Sequence, residues 1–276
     1  MTLDRRESTA LGQKPEPAER LKLPNKAMVL AGGSGKRLRP LTDSVHKCMV
    51  PIWGKPLMEY IIESLSHQGV KQIRINLCHL AETVMEHFGN GSAWGVDISY
   101  SIEDKPLGTA GGVKKAADFF DSTFFVWYGD NLSNCDLEPL YSFHRARGGL
   151  ATIALHYRED PTPSGIVGLD EDGRITRFLE KPRPEQIFSH WVSAGIFVLE
   201  PEIIEMIPTE GSPDFGRDIF PALLAQGVPL YGYYLPSGED VWWVDTPQDL
   251  EKVEFRTAHV FGPWARGDTT SRPQPR

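Results

Sequence analysis

The sequence predicts an α/β protein: a Rossmann-like mixed, mostly parallel sheet flanked by helices, folded as a single domain. Three observations carry that expectation. Short apolar runs rich in β-branched and aromatic residues alternate with stretches whose apolar residues recur at helical spacing, the mark of βα units. One run, Thr123–Tyr128 (TFFVWY), is apolar almost throughout, as a central strand covered on both faces must be. The length of 276 residues suits one α/β domain.

The elements follow in order. Lys26–Ala31 (KAMVLA) reads as a buried strand that runs straight into a glycine-rich turn. Pro56–Gln68 (PLMEYIIESLSHQ) has helical apolar spacing behind a proline suited to a first turn. Gln72–Leu77 is the next strand. A helix over Leu80–Phe88, the turn GNGSAWG and a strand over Asp97–Ile102 come next. Thr109–Phe119 reads as helix. The central strand Thr123–Tyr128 ends at Gly129 and Asp130, and ligands bind outside the carboxyl ends of such strands, so Asp130 stands where chemistry is expected. Beyond it lie a helix near Leu137–Arg147, a strand over Ala151–Tyr157, a hairpin turning at Asp170–Gly173 and a strand over Ser193–Leu199. Helices near Pro201–Met206 and Pro247–Glu254 close the ordered part. There is no internal repeat, and no hexapeptide array that would append a β-helix.

Composition narrows the classes of partner. A formal net charge of −8 provides no broad basic surface for a nucleic-acid backbone, so nucleic acid is not expected to bind. Cys48, Cys78 and Cys135 form no CxxC pair, which argues against a zinc site or a disulfide framework; a reducing cytoplasm is the expected location. The first residues carry charges throughout and lack the apolar stretch of a secretory signal. Nothing approaches the roughly 18 consecutive apolar residues of a membrane span. Residues 1–24 are expected to be a disordered extension, 25–260 the single folded domain and 261–276 a flexible tail.

The most informative segment is Leu30–Thr42, LAGGSGKRLRPLT. Gly32, Gly33, Ser34 and Gly35 let the backbone approach an anion closely with several N–H groups, and Lys36, Arg37 and Arg39 add positive charge beside it. A triphosphate suits such a loop. Two better-known phosphate loops fail on spacing: a Walker loop needs glycine at Leu30 and Ser or Thr at Arg37, and GxGxxG fails at Leu38. Read without context, the glycines would also serve a plain surface turn.

The segment LAGGSGKRLRPLT, followed by HKCMVPIWGKPLMEY, resembles the signature of the sugar-1-phosphate nucleotidyltransferase family, which includes glucose-1-phosphate thymidylyltransferases and mannose-1-phosphate guanylyltransferases. The likeness continues in order through GTAGG at Gly108–Gly112, YGDNL at Tyr128–Leu132, EKP at Glu180–Pro182, SAGIF at Ser193–Phe197 and WVDTPQDL at Trp243–Leu250. The resemblance implies the nucleotide-diphospho-sugar transferase type of fold. It also implies a reaction in which a sugar phosphate oxygen attacks the α-phosphorus of an NTP in line and releases pyrophosphate.

The resemblance assigns roles residue by residue. Asp130 and Asp245 match the two aspartates that hold Mg²⁺, a hard cation suited to carboxylate oxygens. Arg37 and Lys47 match basic residues on the phosphates, while Lys36 and Arg39 read as solvated neighbours. Leu30, Ala31, Gly32, Gly33, Ser34, Gly35, Glu103, Gly108 and Thr109 are the expected nucleotide-binding residues. On the sugar-phosphate side stand Gly165, Glu180, Lys181, Ala194 and Gly195: Lys181 is expected on the sugar-linked phosphate and Glu180 on sugar hydroxyls. Taken alone, Glu180 and Lys181 also read as an exposed ion pair. Ser193 replaces an asparagine common in the family, which leaves the sugar open. Tyr128, Trp242 and Trp243 read as core or pocket wall, and His46 is given no function.

Glu103 bears on the base. A carboxylate only accepts hydrogen bonds, which suits the adjacent N1–H and N2–H donors of guanine; the family's thymidylyl- and uridylyltransferases tend to carry glutamine there. GTP is therefore the preferred donor, with a mannose-type or heptose-type 1-phosphate as acceptor; an ordinary loop glutamate is the competing reading of the residue. Alternatives are a thymidylyl-, uridylyl- or cytidylyltransferase of the same fold, and a silent regulatory relative that binds a sugar nucleotide. The latter could lose a loop cation or a metal carboxylate, and here all four charged residues are present. A metal-dependent glycosyltransferase would carry a DxD cluster, which Asp130 is not part of. Family members are often homo-oligomers; no stripe in the sequence identifies an interface.

Overall fold

The computed structural model describes residues 21–261. The expected mobile ends fall largely outside these residues, although within them Leu23 packs on the core and Pro24 is buried. Nine strands form the main sheet: β1 (Lys26–Ala31), β2 (Gln72–Leu77), β3 (Asp97–Ile102), β4 (Phe124–Tyr128), β5 (Ala151–Tyr157), β6 (Gly165–Leu169), β7 (Ile175–Glu180), β8 (Trp191–Leu199) and β9 (Leu230–Tyr234). The order β7-β6-β8-β4-β1-β2-β3 runs through the sheet, and β5 joins β8 to β9. β3, β2, β1 and β4 are mutually parallel; β8 runs antiparallel to β4, β5 and β6. This is the mixed sheet the sequence predicts, with its parallel half built by the first βα units.

Seven α-helices accompany it among the described residues: α1 (Leu57–His67), α2 (Ala81–Phe88), α3 (Thr109–Lys115), α4 (Leu137–Arg147), α5 (Glu202–Glu205), α6 (Phe220–Ala225) and α7 (Pro247–Thr257). They cover both faces of the sheet. One apolar layer contains Ile61, Leu65, Val84, Leu140, Val253 and Phe261; the other contains Ala110, Val113, Ile203, Phe215 and Leu223. β4 shows why its sequence has no polar side: Phe125 and Trp127 enter the first layer, Phe124 and Val126 the second.

Several local expectations shift. The helix expected over Thr109–Phe119 ends at Lys115 and passes into a separate 3₁₀ turn, Ala117–Phe119. Pro56 precedes α1 and pairs in a short ladder with Pro51 instead of entering the first turn. β8 begins at Trp191, two residues before the expected Ser193. The hairpin is where it was expected, its turn closed by Asp170, whose Oδ1 accepts from the amides of Asp172 and Arg174. No helix among the described residues is long and apolar enough to cross a membrane.

Candidate active site

β1 has β2 on one side and β4 on the other, so strand order reverses there, and a crevice opens beyond the carboxyl ends of β1 and β4. Leu30 and Tyr128 are cross-strand partners, and the Gly129 amide donates to Leu30 O at 2.8 Å. The glycine loop and Asp130 therefore leave the sheet side by side. An open cleft of about 320 Å³ occupies this place.

Four charged side chains far apart in sequence meet at its rim. Lys47 Nζ donates to Asp245 Oδ1 at 2.7 Å and makes a short contact with Asp130 Oδ2; Arg37 Nη2 reaches Asp245 Oδ1 at 2.8 Å. Each is positioned by a local device. Arg37 rides a 3₁₀ turn that starts at Gly35 (φ 61°), a left-handed position glycine adopts without strain, and Thr42 Oγ1 donates to Gly35 O at 2.8 Å. Lys47 opens a second 3₁₀ turn capped by His46. The His46 ring spans two backbones, with Nε2 3.1 Å from Ala31 O and Nδ1 accepting from the Cys48 amide at 3.2 Å. Asp245 directly precedes Thr246, the N-cap of α7. There Thr246 Oγ1 accepts from the Asp249 amide and Asp249 Oδ2 accepts from the Thr246 amide, a reciprocal capping box.

The electrostatics follow from this packing. Burial alone would lower the Lys47 pKa, but the charges of Asp130 and Asp245 outweigh it and hold the ammonium well above the ordinary lysine value. Burial likewise opposes the charge of Asp245, yet Lys47 and Arg37 bring its pKa below the ordinary aspartate value. His46 is lowered to about 4, chiefly by burial, so the ring is neutral.

The nucleotide-binding residues expected from the sequence divide into a lining set and a supporting set. Leu30, Gly32, Gly33, Glu103, Gly108 and Thr109 line the cleft. Ala31 lies behind it, its amide donating to Asn76 Oδ1 at 2.9 Å, and Ser34 and Gly35 form the turn beside it. Glu103 is 3% exposed. Its Oε1 accepts from Asn76 Nδ2 at 2.7 Å and its Oε2 from the Leu107 amide at 3.0 Å, so it braces the walls as well as facing the cleft. Gly32 and Gly112 make room for this pair: a Cβ at Gly32 would stand 2.6 Å from Asn76 Nδ2, and one at Gly112 2.7 Å from the same atom.

Of the expected sugar-phosphate residues, Gly165, Glu180, Lys181 and Gly195 line the cleft, and Ala194 sits behind with its carbonyl accepting from Asn131 Nδ2 at 2.8 Å. β8 bulges here. Gly195 takes φ 71° and its amide is met by Ser193 Oγ at 3.3 Å, which gives the serine that replaces the family's asparagine a local task. Lys181 is left-handed (φ 48°) with its side chain 64% exposed, and its Nζ lies 3.7 Å from Glu180. Burial, then the charge of Asp214, raises the Glu180 pKa above the ordinary value.

Among the lining residues to which the sequence reading gave no role are Asn76, Asn131 and Asp214. Asn76 was signalled by a polar side chain inside the buried strand QIRINL. Asp214 was signalled by its place before the helical stretch FGRDIF, where it accepts from the Gly216 and Arg217 amides as an N-cap. It also accepts from Thr109 Oγ1 at 2.7 Å, tying the two sides of the cleft together.

The glycine loop and the cluster of opposed charges lie together at the switch point of an α/β sheet, where sheets of this class bind their ligands. The chain belongs to the nucleotidyl transferase family, whose model matches residues 26–254. It is 41% identical over 234 residues to a UTP–glucose-1-phosphate uridylyltransferase of Synechocystis sp., covering 80% of this chain and 59% of that protein. It is 38% identical over 231 residues to a mannose-1-phosphate guanylyltransferase of Mycobacterium tuberculosis, covering 81% and 62%. The chain thus spans less than two thirds of these curated relatives. Among solved structures, a putative glucose-1-phosphate thymidylyltransferase from Bacillus anthracis in complex with a sucrose shares the fold at a TM-score of 0.76, with 24% identity over 85% of this chain and 96% of that one. HddC from Yersinia pseudotuberculosis, complexed with GMP-PN, matches at 0.70 with 25% identity, over 84% and 99%.

Proposed function

We propose that the protein transfers a nucleoside monophosphate from an NTP, GTP by preference, to a mannose-type or heptose-type sugar 1-phosphate, giving an NDP-sugar and pyrophosphate. The observation that carries this reading is the convergence of Arg37, Lys47, Asp130 and Asp245 beside the glycine loop. The amides of Gly33, Ser34 and Gly35 have no protein acceptor among the described residues, which leaves them to the β- and γ-phosphates. Arg37 and Lys47 stabilise charge on the α-phosphate and the departing pyrophosphate, so most of the acceleration comes from positioning and electrostatics. Glu180 accepts from sugar hydroxyls, and Lys181 meets the acceptor phosphate as it approaches the α-phosphorus.

Magnesium fits the residues present. Asp130 and Asp245 already converge on one cation, the Lys47 ammonium, and no third His, Cys, Asp or Glu joins them among the described residues. Two carboxylates with the remaining positions left to water and phosphate oxygens is the arrangement Mg²⁺ favours, and it would neutralise phosphate charge when bound.

A second reading, UTP as donor, is favoured by the uridylyltransferase name of the Synechocystis relative. Both Glu103 oxygens keep a second lone pair beyond their bonds to Asn76 and Leu107, enough to accept from the guanine N1–H and N2–H. A panel of NTPs against hexose and heptose 1-phosphates, with released pyrophosphate measured, decides between the donors. No release with any pair refutes the activity itself.

A further inference from the structure

A chain of hydrogen bonds whose direction is fixed at both ends runs from the start of the glycine loop to Glu103. We infer that Asn76 is a positioning residue for donor choice: it fixes the Glu103 carboxylate and requires position 103 to carry two accepting oxygens, which suits a base edge with adjacent N–H donors. This rests on the donor reading proposed above.

Asn76 is the last residue but one of β2, paired with Leu30 of β1 on one side and Ser101 of β3 on the other, so its backbone is held at the cleft wall. The residue is 3% exposed and lines the cleft, as Glu103 does. Ala31, where the glycine loop begins, has both main-chain groups committed to side chains. Its carbonyl lies 3.1 Å from His46 Nε2, and its amide is 2.9 Å from Asn76 Oδ1. An amide N–H only donates, so the atom opposite it must be the Asn76 oxygen, and the orientation of the carboxamide is decided by that contact. Nδ2 is thereby turned on Glu103 Oε1, at 2.7 Å. The Leu107 amide, a second group that only donates, meets Oε2 at 3.0 Å. Both oxygens of Glu103 thus face N–H groups, and those groups belong to two different segments. Gly32 and Gly112 come close to both side chains, which leaves neither of them room to swing aside.

Within this chain an amide at position 103 fails in either orientation. With its oxygen towards Asn76, its NH₂ meets the Leu107 N–H; turned over, its NH₂ meets the Asn76 NH₂. Asn76 cannot flip to relieve the second clash, because its own NH₂ would then meet the Ala31 N–H. A buried donor left without an acceptor is costly, so residue 76 controls which group residue 103 can present to the base. One exchange restores every bond. In an Asn76→Asp/Glu103→Gln protein, Asp accepts from the Ala31 amide and from the Gln NH₂, and the Gln oxygen accepts from the Leu107 amide. The charge of the pair is conserved, and the base then meets a donor beside an acceptor, the pattern a pyrimidine edge requires.

A double-mutant cycle on the intact chain tests this, with melting temperature measured without nucleotide and kcat/KM measured for GTP and UTP with one sugar 1-phosphate. Asn76→Asp and Glu103→Gln are each expected to melt about 5 °C lower than wild type and to lose about tenfold or more in kcat/KM with every NTP. The double variant should regain most of the melting temperature. Its kcat/KM for UTP should exceed that of Glu103→Gln by about tenfold while that for GTP stays low. Single variants as stable as wild type, or a double variant no more stable than the singles, overturn the chain of bonds. A double variant that regains stability but keeps the wild-type ratio of GTP to UTP overturns the role in donor choice and leaves Asn76 a structural brace. A wild type that prefers UTP, or releases no pyrophosphate with any NTP, refutes the parent reading, whatever the melting temperatures show.

Discussion

The Nζ of Lys47 lies 2.7 Å from Oδ1 of Asp245, across 198 positions of sequence, and the same ammonium contacts Asp130. Without that cation the two carboxylates would repel each other at a partly buried rim. Lys47→Met is therefore expected to destabilise the fold by roughly 2 kcal/mol, less than a fully buried pair because the carboxylates keep some solvent. Urea unfolding at neutral pH measures it, and an unchanged midpoint would show that the cluster is solvated.

Asp130→Ala and Asp245→Ala are each expected to abolish pyrophosphate release, a loss of at least about 10²-fold, with the circular dichroism spectrum preserved. Activity retained in both variants would remove the metal from the proposal.

His46 gives a pH signature of stability. Its pKa is about 4 in the fold against 6.5 for the free side chain, so the unfolded chain takes up the proton first. Stability should therefore fall as pH drops from 6.5 towards 4, by about 3 kcal/mol in all from this residue. His46→Gln, which keeps a donor and an acceptor but cannot titrate, should flatten that part of the profile. Equal unfolding free energies at pH 7 and pH 4.5 would count against it.

Glu180 carries a different one. Because burial and Asp214 raise its pKa, it loses its charge at a higher pH than an ordinary glutamate as the solution is acidified. The acid limb of kcat/KM for the sugar 1-phosphate should lie correspondingly high, and Asp214→Asn should move it to lower pH. A limb that stays put would mean that another group sets it.

Glu103→Gln addresses the base. An amide can donate as well as accept, so the variant should lose preference for GTP and gain relative activity with UTP or dTTP by about tenfold or more, readable from competing donors. The same ratio in both proteins would reduce Glu103 to a brace for Asn76 and Leu107.

Much of this arrangement is written in the chain. The period of apolar residues forecasts β1, β2, β4 and α4, and the all-apolar TFFVWY forecasts a strand between two layers. Short-range chemistry is also legible: the Thr246–Asp249 box and the Asp170 turn need only a few residues to define them. What escapes are relationships formed by distant segments. Nothing near Asn76 announces that its amide will meet the Ala31 amide and Glu103, and nothing in the end of β5 announces that Arg158 will stack on Trp243. β9, with Gly232 at its middle, lacks the long apolar run that marks its neighbours.

The bond between Thr109 and Asp214 joins the segment that starts α3 to the one that starts the turn before α6, and the Pro213 carbonyl takes the amides of Ala110 and Gly111 beside it. Grafting a new sugar pocket from another member onto this scaffold would therefore disturb the donor pocket unless both sides of that seam travelled together. Recombination breakpoints placed between residues 109 and 214 should yield chimeras impaired toward both substrates, however well each parental half works at home.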